Sequence, residues 1–169
     1  MKSARTIKNK TQSFQKEGKE NSFPVVAIGA SAGGLEAVTQ LFQNLSPDTG
    51  MAFIYVQHLS PDHKSILTQL LAKTTKMKVQ EIDDWEKMIP DNVYVIPYNK
   101  GIEVTDGHIQ LVPRSNNASA NSIDILFSSL AETHKENVVG IVLSGSASDG
   151  THGLKERNKG SRRNNFCSG

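Results

Sequence analysis

The sequence predicts an α/β protein built on a mainly parallel sheet, with a small antiparallel hairpin attached. Three observations carry this expectation. In the first half of the chain, apolar runs alternate with amphipathic helical stretches, which implies βαβ units with right-handed crossovers. Near the other end, Val138–Leu143 is a continuous apolar run, as in strands covered on both faces. Between these parts, the pair Asp106-Gly107 separates Ile102–Val104 from Ile109–Val112, which is the pattern of a hairpin.

Taken in order, residues 1–22 are polar and carry Lys2, Arg5, Lys8, Lys10, Lys16 and Lys19. They read as a disordered leader, because they offer too few apolar groups to offset the entropy of ordering. Structure is expected from Phe23. Pro24–Ile28 is a first strand, and Gly29–Gly34 is a turn. Leu35, Val38, Leu41, Phe42 and Leu45 recur at helical spacing. Met51–Val56 is a second strand. Ser60 and Asp62 are caps for a helix that carries Ile66, Leu67, Leu70 and Leu71. The middle differs: Val93–Pro97 alternates, and with the hairpin it suggests an antiparallel piece decorating the sheet. Arg114–Asn121 is a polar loop. Ser122–His134 is a helix with Ile123, Leu126, Phe127 and Leu130 on one face. After the apolar run at Val138–Leu143 comes a glycine-rich turn, Gly145–Gly153. No stretch repeats another.

Composition narrows the function classes. A length of 169 residues fits one domain, and 37% hydrophobic with 21% charged residues is ordinary for a globular protein. The net charge of +2 is too small to suggest nucleic acid as a partner. No apolar run approaches the roughly 20 residues a membrane helix needs, and no apolar segment marks a signal peptide. The single cysteine, Cys167, excludes a disulfide framework and a cysteine-based zinc site. The cytoplasm is the expected compartment. Neither a cofactor nor a metal is expected.

Three apolar strands each end in a reactive turn. The first ends in Gly29-Ala30-Ser31-Ala32-Gly33-Gly34, the second in Gln57-His58, the third in Ser144 through Gly150. Ligands of open parallel sheets bind beyond the carboxyl ends of strands, so neighbouring strands would bring Ser31, His58 and Asp149 to one edge. A serine hydroxyl is a weak nucleophile until a base takes its proton. Imidazole does this near neutral pH, and a carboxylate holds its tautomer and stabilises the imidazolium. Glycines around Ser31 allow a tight strand-to-helix turn. The helix starting near Leu35 aims its N-terminus at the same place, where backbone N–H groups stabilise an oxyanion. The Ala32 N–H is one candidate donor, and a second could come from the turn near Ser146.

Each piece also has a plainer reading. Ser31 could simply cap a helix, His58 could be structural, and Asp149 could be a turn residue. A dinucleotide cradle at the Ser31 turn fits less well, because its fingerprint needs glycine there and no Walker lysine follows. His63 with Asp62 and His58 makes a poor zinc set without a distant fourth ligand. His108 and His134 read as surface groups, and His152 is given no role.

These blocks together resemble the catalytic domain of chemotaxis protein-glutamate methylesterases. The resemblance covers about Phe23–Lys155. It rests on Val26–Gly34, Val56-Gln57-His58, Val93–Pro97, Asp106–Ile109, Ser122–Phe127, and Leu143–Gly145 through Asp149-Gly150. The resemblance implies a doubly wound, mainly parallel sheet and hydrolysis of γ-glutamyl methyl esters on methyl-accepting chemotaxis receptors, with deamidation of receptor glutamines in many members. By matching position it implies Ser31 as nucleophile, His58 as general base and acid, and Asp149 as orienting carboxylate. It places the backbone N–H of Ser146 in the oxyanion hole, although the family commonly has methionine at that position. Residues 1–22 cannot form a receiver domain. The closer likeness is to the esterase module at the front of fusions with a receptor methyltransferase, which makes that enzyme a further expected partner.

After Lys155 the likeness stops. Residues 156–169 lack apolar periodicity and hold only Phe166 as a large apolar group. This suggests a frameshift just after Lys155, an incomplete catalytic domain (residues 23–155) without its last strand and helix, and low stability and activity. The alternative to an active hydrolase is then a truncated remnant that at most binds a partner.

Overall fold

The computed structural model describes residues 23–30, 33–57, 66–113, 122–143 and 166–168. Their first strand, β1 (Val25–Ala30), leads into helix α1 (Gly34–Asn44) and back to β2 (Ala52–Gln57). Helix α2 (Leu67–Ala72) follows, then β3 (Lys78–Glu81), β4 (Glu86–Lys87) and β5 (Asn92–Val95). The hairpin is β6 (Lys100–Thr105) and β7 (His108–Pro113). Helix α3 (Ser122–His134), a short 3-10 turn (Lys135–Asn137), β8 (Val138–Leu143) and β9 (Phe166–Ser168) complete the order.

Two sheets form. One has six strands in the order β3-β5-β2-β1-β8-β9, all paired in parallel; the other is antiparallel, in the order β4-β7-β6. Helices cover both faces of the large sheet, as the resemblance implies. On one face Val38, Phe42, Leu67 and Leu71 from α1 and α2 pack with Ile28, Phe53, Tyr55, Val93 and Val95. Phe42 meets Phe53 edge-on, with ring centroids 5.6 Å apart. On the other face Leu126, Phe127 and Leu130 of α3, with Ile102, Val104 and Ile109 of the small sheet, bury Ala27, Ile54 and Val56. A bond from the Val104 N–H to Ser129 Oγ (3.1 Å) ties the hairpin to α3. Both Asp106 and Gly107 have positive φ, 49° and 72°, which a two-residue hairpin turn of this hand requires.

Several expectations change. Val93–Pro97 is not part of the antiparallel piece: β5 lies inside the parallel sheet between β3 and β2, with all four residues buried. Alternation does not separate a half-buried strand from a covered one when the run is this short. Neither β3 nor β4 is expected from the sequence. β3 is a polar edge strand and β4 has two residues, so neither carries a hydrophobic period. In the tail, where no regular element is expected, Phe166–Ser168 form β9 and pair with Ile141–Leu143. That pairing satisfies backbone groups that an edge strand leaves open, a gain that hydropathy patterns do not report. Ser60, Asp62 and residues 1–22 lie outside the described residues. Among the described residues no helix is long and apolar enough to cross a membrane.

Candidate active site

The rim predicted from sequence requires three strands to be neighbours, and they are. β1 lies between β2 and β8, and its last residue, Ala30, is the register partner of both Gln57 and Leu143. The three strands therefore end level with one another. Ser31 and His58 each follow one of these ends directly, and Asp149 comes six residues after Leu143. Ser31, Ala32, His58, Ser146 and Asp149 themselves lie outside the described residues, as do Asp62, His63 and His152.

What the described residues provide is the frame. Helix α1 starts directly on the strand ends. A Cβ added to Gly34 would lie 2.3 Å from the Ala30 Cβ and 3.2 Å from the Leu143 carbonyl oxygen, so only glycine permits this approach. Gly33 precedes the helix in a helical conformation and offers no side-chain cap. The N–H groups of the first turn therefore lack intrahelical partners and carry the positive end of the helix dipole beside the rim. On the opposite face α3 presses equally close. A Cβ on Gly29 would come within 2.6 Å of Ile123 Cγ2. Glycines 29 and 34 thus let a helix seat on each face of the same strand end.

In the sequence Gln57 is visible only as the residue before His58. In the structure it is a buried polar residue at the strand end, and its Oε1 accepts a hydrogen bond from Tyr55 Oη at 3.2 Å. Burial pushes the Tyr55 phenol far above its usual range, so it remains a donor. An apolar run hides this pair, because tyrosine counts among the hydrophobic residues.

The two described histidines are not free surface groups. His108 stacks on Trp85, with ring centroids 5.2 Å apart and 11° between planes, and its Nδ1 lies 2.9 Å from the Asp106 carbonyl. His134 is half-buried at the end of α3, and burial lowers its pKa from the ordinary 6.5. It precedes β8 and so sits toward the amino end of the sheet, away from the rim. Among the described residues no cluster of three His, Cys, Asp or Glu side chains could hold a metal.

The topology and the glycine-seated helix define an open, mainly parallel α/β protein in which the carboxyl ends of β2, β1 and β8 finish level at one edge. The sequence profile of CheB methylesterase matches residues 26–161, and the chain belongs to that family. The match runs past Lys155, where the sequence-based resemblance stopped. Curated relatives carry the name protein-glutamate methylesterase/protein-glutamine glutaminase. The one from Yersinia pestis is 31% identical over 160 residues, covering 92% of this chain and 46% of the relative. That from Pectobacterium atrosepticum is 33% identical over 141 residues, covering 80% and 40%. The chain thus spans about half the length of the curated relatives it matches. The crystal structure of the Thermotoga maritima CheB methylesterase catalytic domain superposes with a TM-score of 0.70 at 27% identity, over 82% of this chain and 76% of that one.

Proposed function

We propose that the protein hydrolyses glutamyl methyl esters on chemotaxis receptors by a serine mechanism. The observation that carries this reading is the register that sets Ala30 beside both Gln57 and Leu143. Ser31 and His58 each come one residue after a paired position of adjacent strands, the placement in sequence that a serine–imidazole pair on one edge needs. The stretch from Leu143 is long enough to bring Asp149 to the same edge.

In this mechanism the Ser31 hydroxyl attacks the ester carbonyl while His58 takes its proton. Asp149 holds the imidazole and stabilises its charged form. The tetrahedral oxyanion accepts hydrogen bonds from the backbone N–H of Ala32 and Ser146, beside the start of α1. His58 then gives the proton to the departing methoxide, which leaves as methanol. Water, activated by the same imidazole, cleaves the acyl-serine and yields the glutamate carboxylate and free Ser31. With a glutamine side chain the same steps release ammonia, the second activity in the relatives' names.

Methanol release from a methylated receptor fragment tests the reading. Ser31→Ala should reduce turnover by at least about a thousandfold with circular dichroism unchanged. Equal turnover in wild type and Ser31→Ala would overturn it. Membership of the receptor's methyltransferase in the same assembly, and a cytoplasmic location, belong to this proposal as well.

A further inference from the structure

The outer face of the small sheet carries an exposed aromatic stack. In the β4–β7 ladder Lys87 stands opposite His108 and Glu86 opposite Ile109. Ile109 is buried in the core, so Lys87 and His108 point to the other side of the sheet. On β6, Thr105 is the partner of His108 and Glu103 that of Gln110. Both are exposed and share this outer face. Trp85, one residue before β4, lies over it. Its indole is stacked on the His108 imidazole, with ring centroids 5.2 Å apart.

Two features of Trp85 do not fit a residue that serves packing alone. It is 55% exposed, and its φ is 58°. That left-handed conformation suits glycine and strains a bulky side chain. The turn is nevertheless well held. The Asp83 N–H donates to Glu86 Oε2 at 3.0 Å, and the Leu111 N–H donates to Asp84 Oδ1 at 2.9 Å. His108 is fixed too. Its Nδ1 lies 2.9 Å from the Asp106 carbonyl, an oxygen that only accepts, so Nδ1 carries a proton. The imidazole therefore backs one face of a fixed indole and leaves the other face toward solvent.

The surroundings select the ligand's charge. Asp83 and Asp84 precede Trp85 in its turn, Asp106 is two residues before His108, and Glu103 lies on the same face; all four are exposed. Lys87 opposes them from β4. An indole face attracts cations through its quadrupole, and carboxylates around it strengthen the local negative potential. A guanidinium suits both, because its plane stacks on the ring while its N–H groups reach carboxylates.

We infer that the Trp85–His108 stack is a docking site for a basic segment of a partner protein, with an arginine side chain on the open indole face and the carboxylates of Asp83, Asp84 and Glu103 around it. The site does not depend on the ester chemistry proposed above.

Trp85 is the single tryptophan of the chain, so the emission of the full 169-residue protein reports this site alone. Acetylated tetra-arginine amide should shift or quench that emission to saturation, with a Kd that rises at least about fivefold between about 0.05 and about 0.3 M salt. Tetra-glutamate should leave it unchanged. Anisotropy of the same arginine peptide carrying fluorescein then compares the variants. Trp85→Gly, which relieves the positive φ, should weaken binding at least about tenfold without lowering the thermal midpoint. Asp83→Asn combined with Glu103→Gln should weaken it about three- to tenfold. If Trp85→Gly fails to fold, the carboxylate pair decides alone. Emission indifferent to tetra-arginine, equal responses to the two peptides, or unchanged binding by folded Trp85→Gly or by the carboxylate pair would overturn the inference. So would emission that shifts with protein concentration alone while sedimentation shows a dimer, since the occupant would then be a second copy of this chain.

Discussion

The six-stranded parallel sheet and the three-stranded antiparallel sheet bury their residues in different ways. Every residue of β1 and β2 is buried, whatever its parity along the strand. In β6 the exposed residues Lys100, Glu103 and Thr105 share the strand with buried Gly101, Ile102 and Val104. The first pattern arises because helices lie on both faces of the large sheet; the second because the small sheet has one face on α3 and one in solvent. A strand packed on both faces has little room to shift. The proposed catalytic rim grows from such strands, where second-layer packing holds the ends in register.

That contrast can be tested by substitution, the largest effect first. Phe42→Ala removes an aromatic ring from the α1 layer against Phe53 and should cost about 3–5 kcal/mol, read from urea unfolding midpoints. Glu103→Ala, on the outer face of the small sheet, should stay within about 0.5 kcal/mol in the same experiment. Comparable losses at the two positions would erase the distinction drawn here.

Next, two glycines sharpen it. Gly34→Ala meets the Ala30 Cβ at 2.3 Å and the Leu143 carbonyl oxygen at 3.2 Å, whereas Gly101→Ala meets Val112 Cγ2 at 2.9 Å with no backbone atom nearer than 3.7 Å. The strand ends under α1 cannot yield as the hairpin can. Gly34→Ala should therefore cost about 1–3 kcal/mol and also slow ester hydrolysis, while Gly101→Ala should cost less and leave hydrolysis per folded molecule unchanged.

The smallest effect is one of pH. His134 has its folded-state pKa lowered by burial, although the end of a helix favours its charged form. The unfolded chain therefore binds the proton more readily below about pH 6.5. This contribution is fully present above the unfolded value and is lost as pH falls toward the lowered folded one. His134→Gln should flatten the acid side of the thermal midpoint between pH 7.5 and 5. A variant with the same acid slope as wild type would remove His134 from this account.

Much of the architecture could be read along the chain. The limits of α3 and β8 agree with those expected, and Ile123, Leu126, Phe127 and Leu130 face the core as their spacing requires. Long segments with a regular period announce themselves. β3, β4 and β9 do not, since Lys78–Glu81 alternates neither in polarity nor in burial and the other two are two and three residues long. Their strands are held by backbone pairing with neighbours distant in sequence. β5 differs from expectation for a related reason. Val93–Val95 is apolar enough for either sheet, and only its partners, β2 and β3, assign it.

By itself the sequence determined the residue types of the proposed site and the strands that precede them. A serine among glycines, a histidine after an apolar run and an aspartate in a glycine-rich turn are local facts, and the family blocks are strings of neighbours. Which strand ends stand side by side was decided only by tertiary structure, because β8 reaches β1 across more than a hundred residues and inserts itself on the side away from β2. The Tyr55–Gln57 bond belongs to the same category. Its two residues are ordinary in the chain, and only the packing of α1 over the strand ends buries the Gln57 amide and brings the Tyr55 hydroxyl to it.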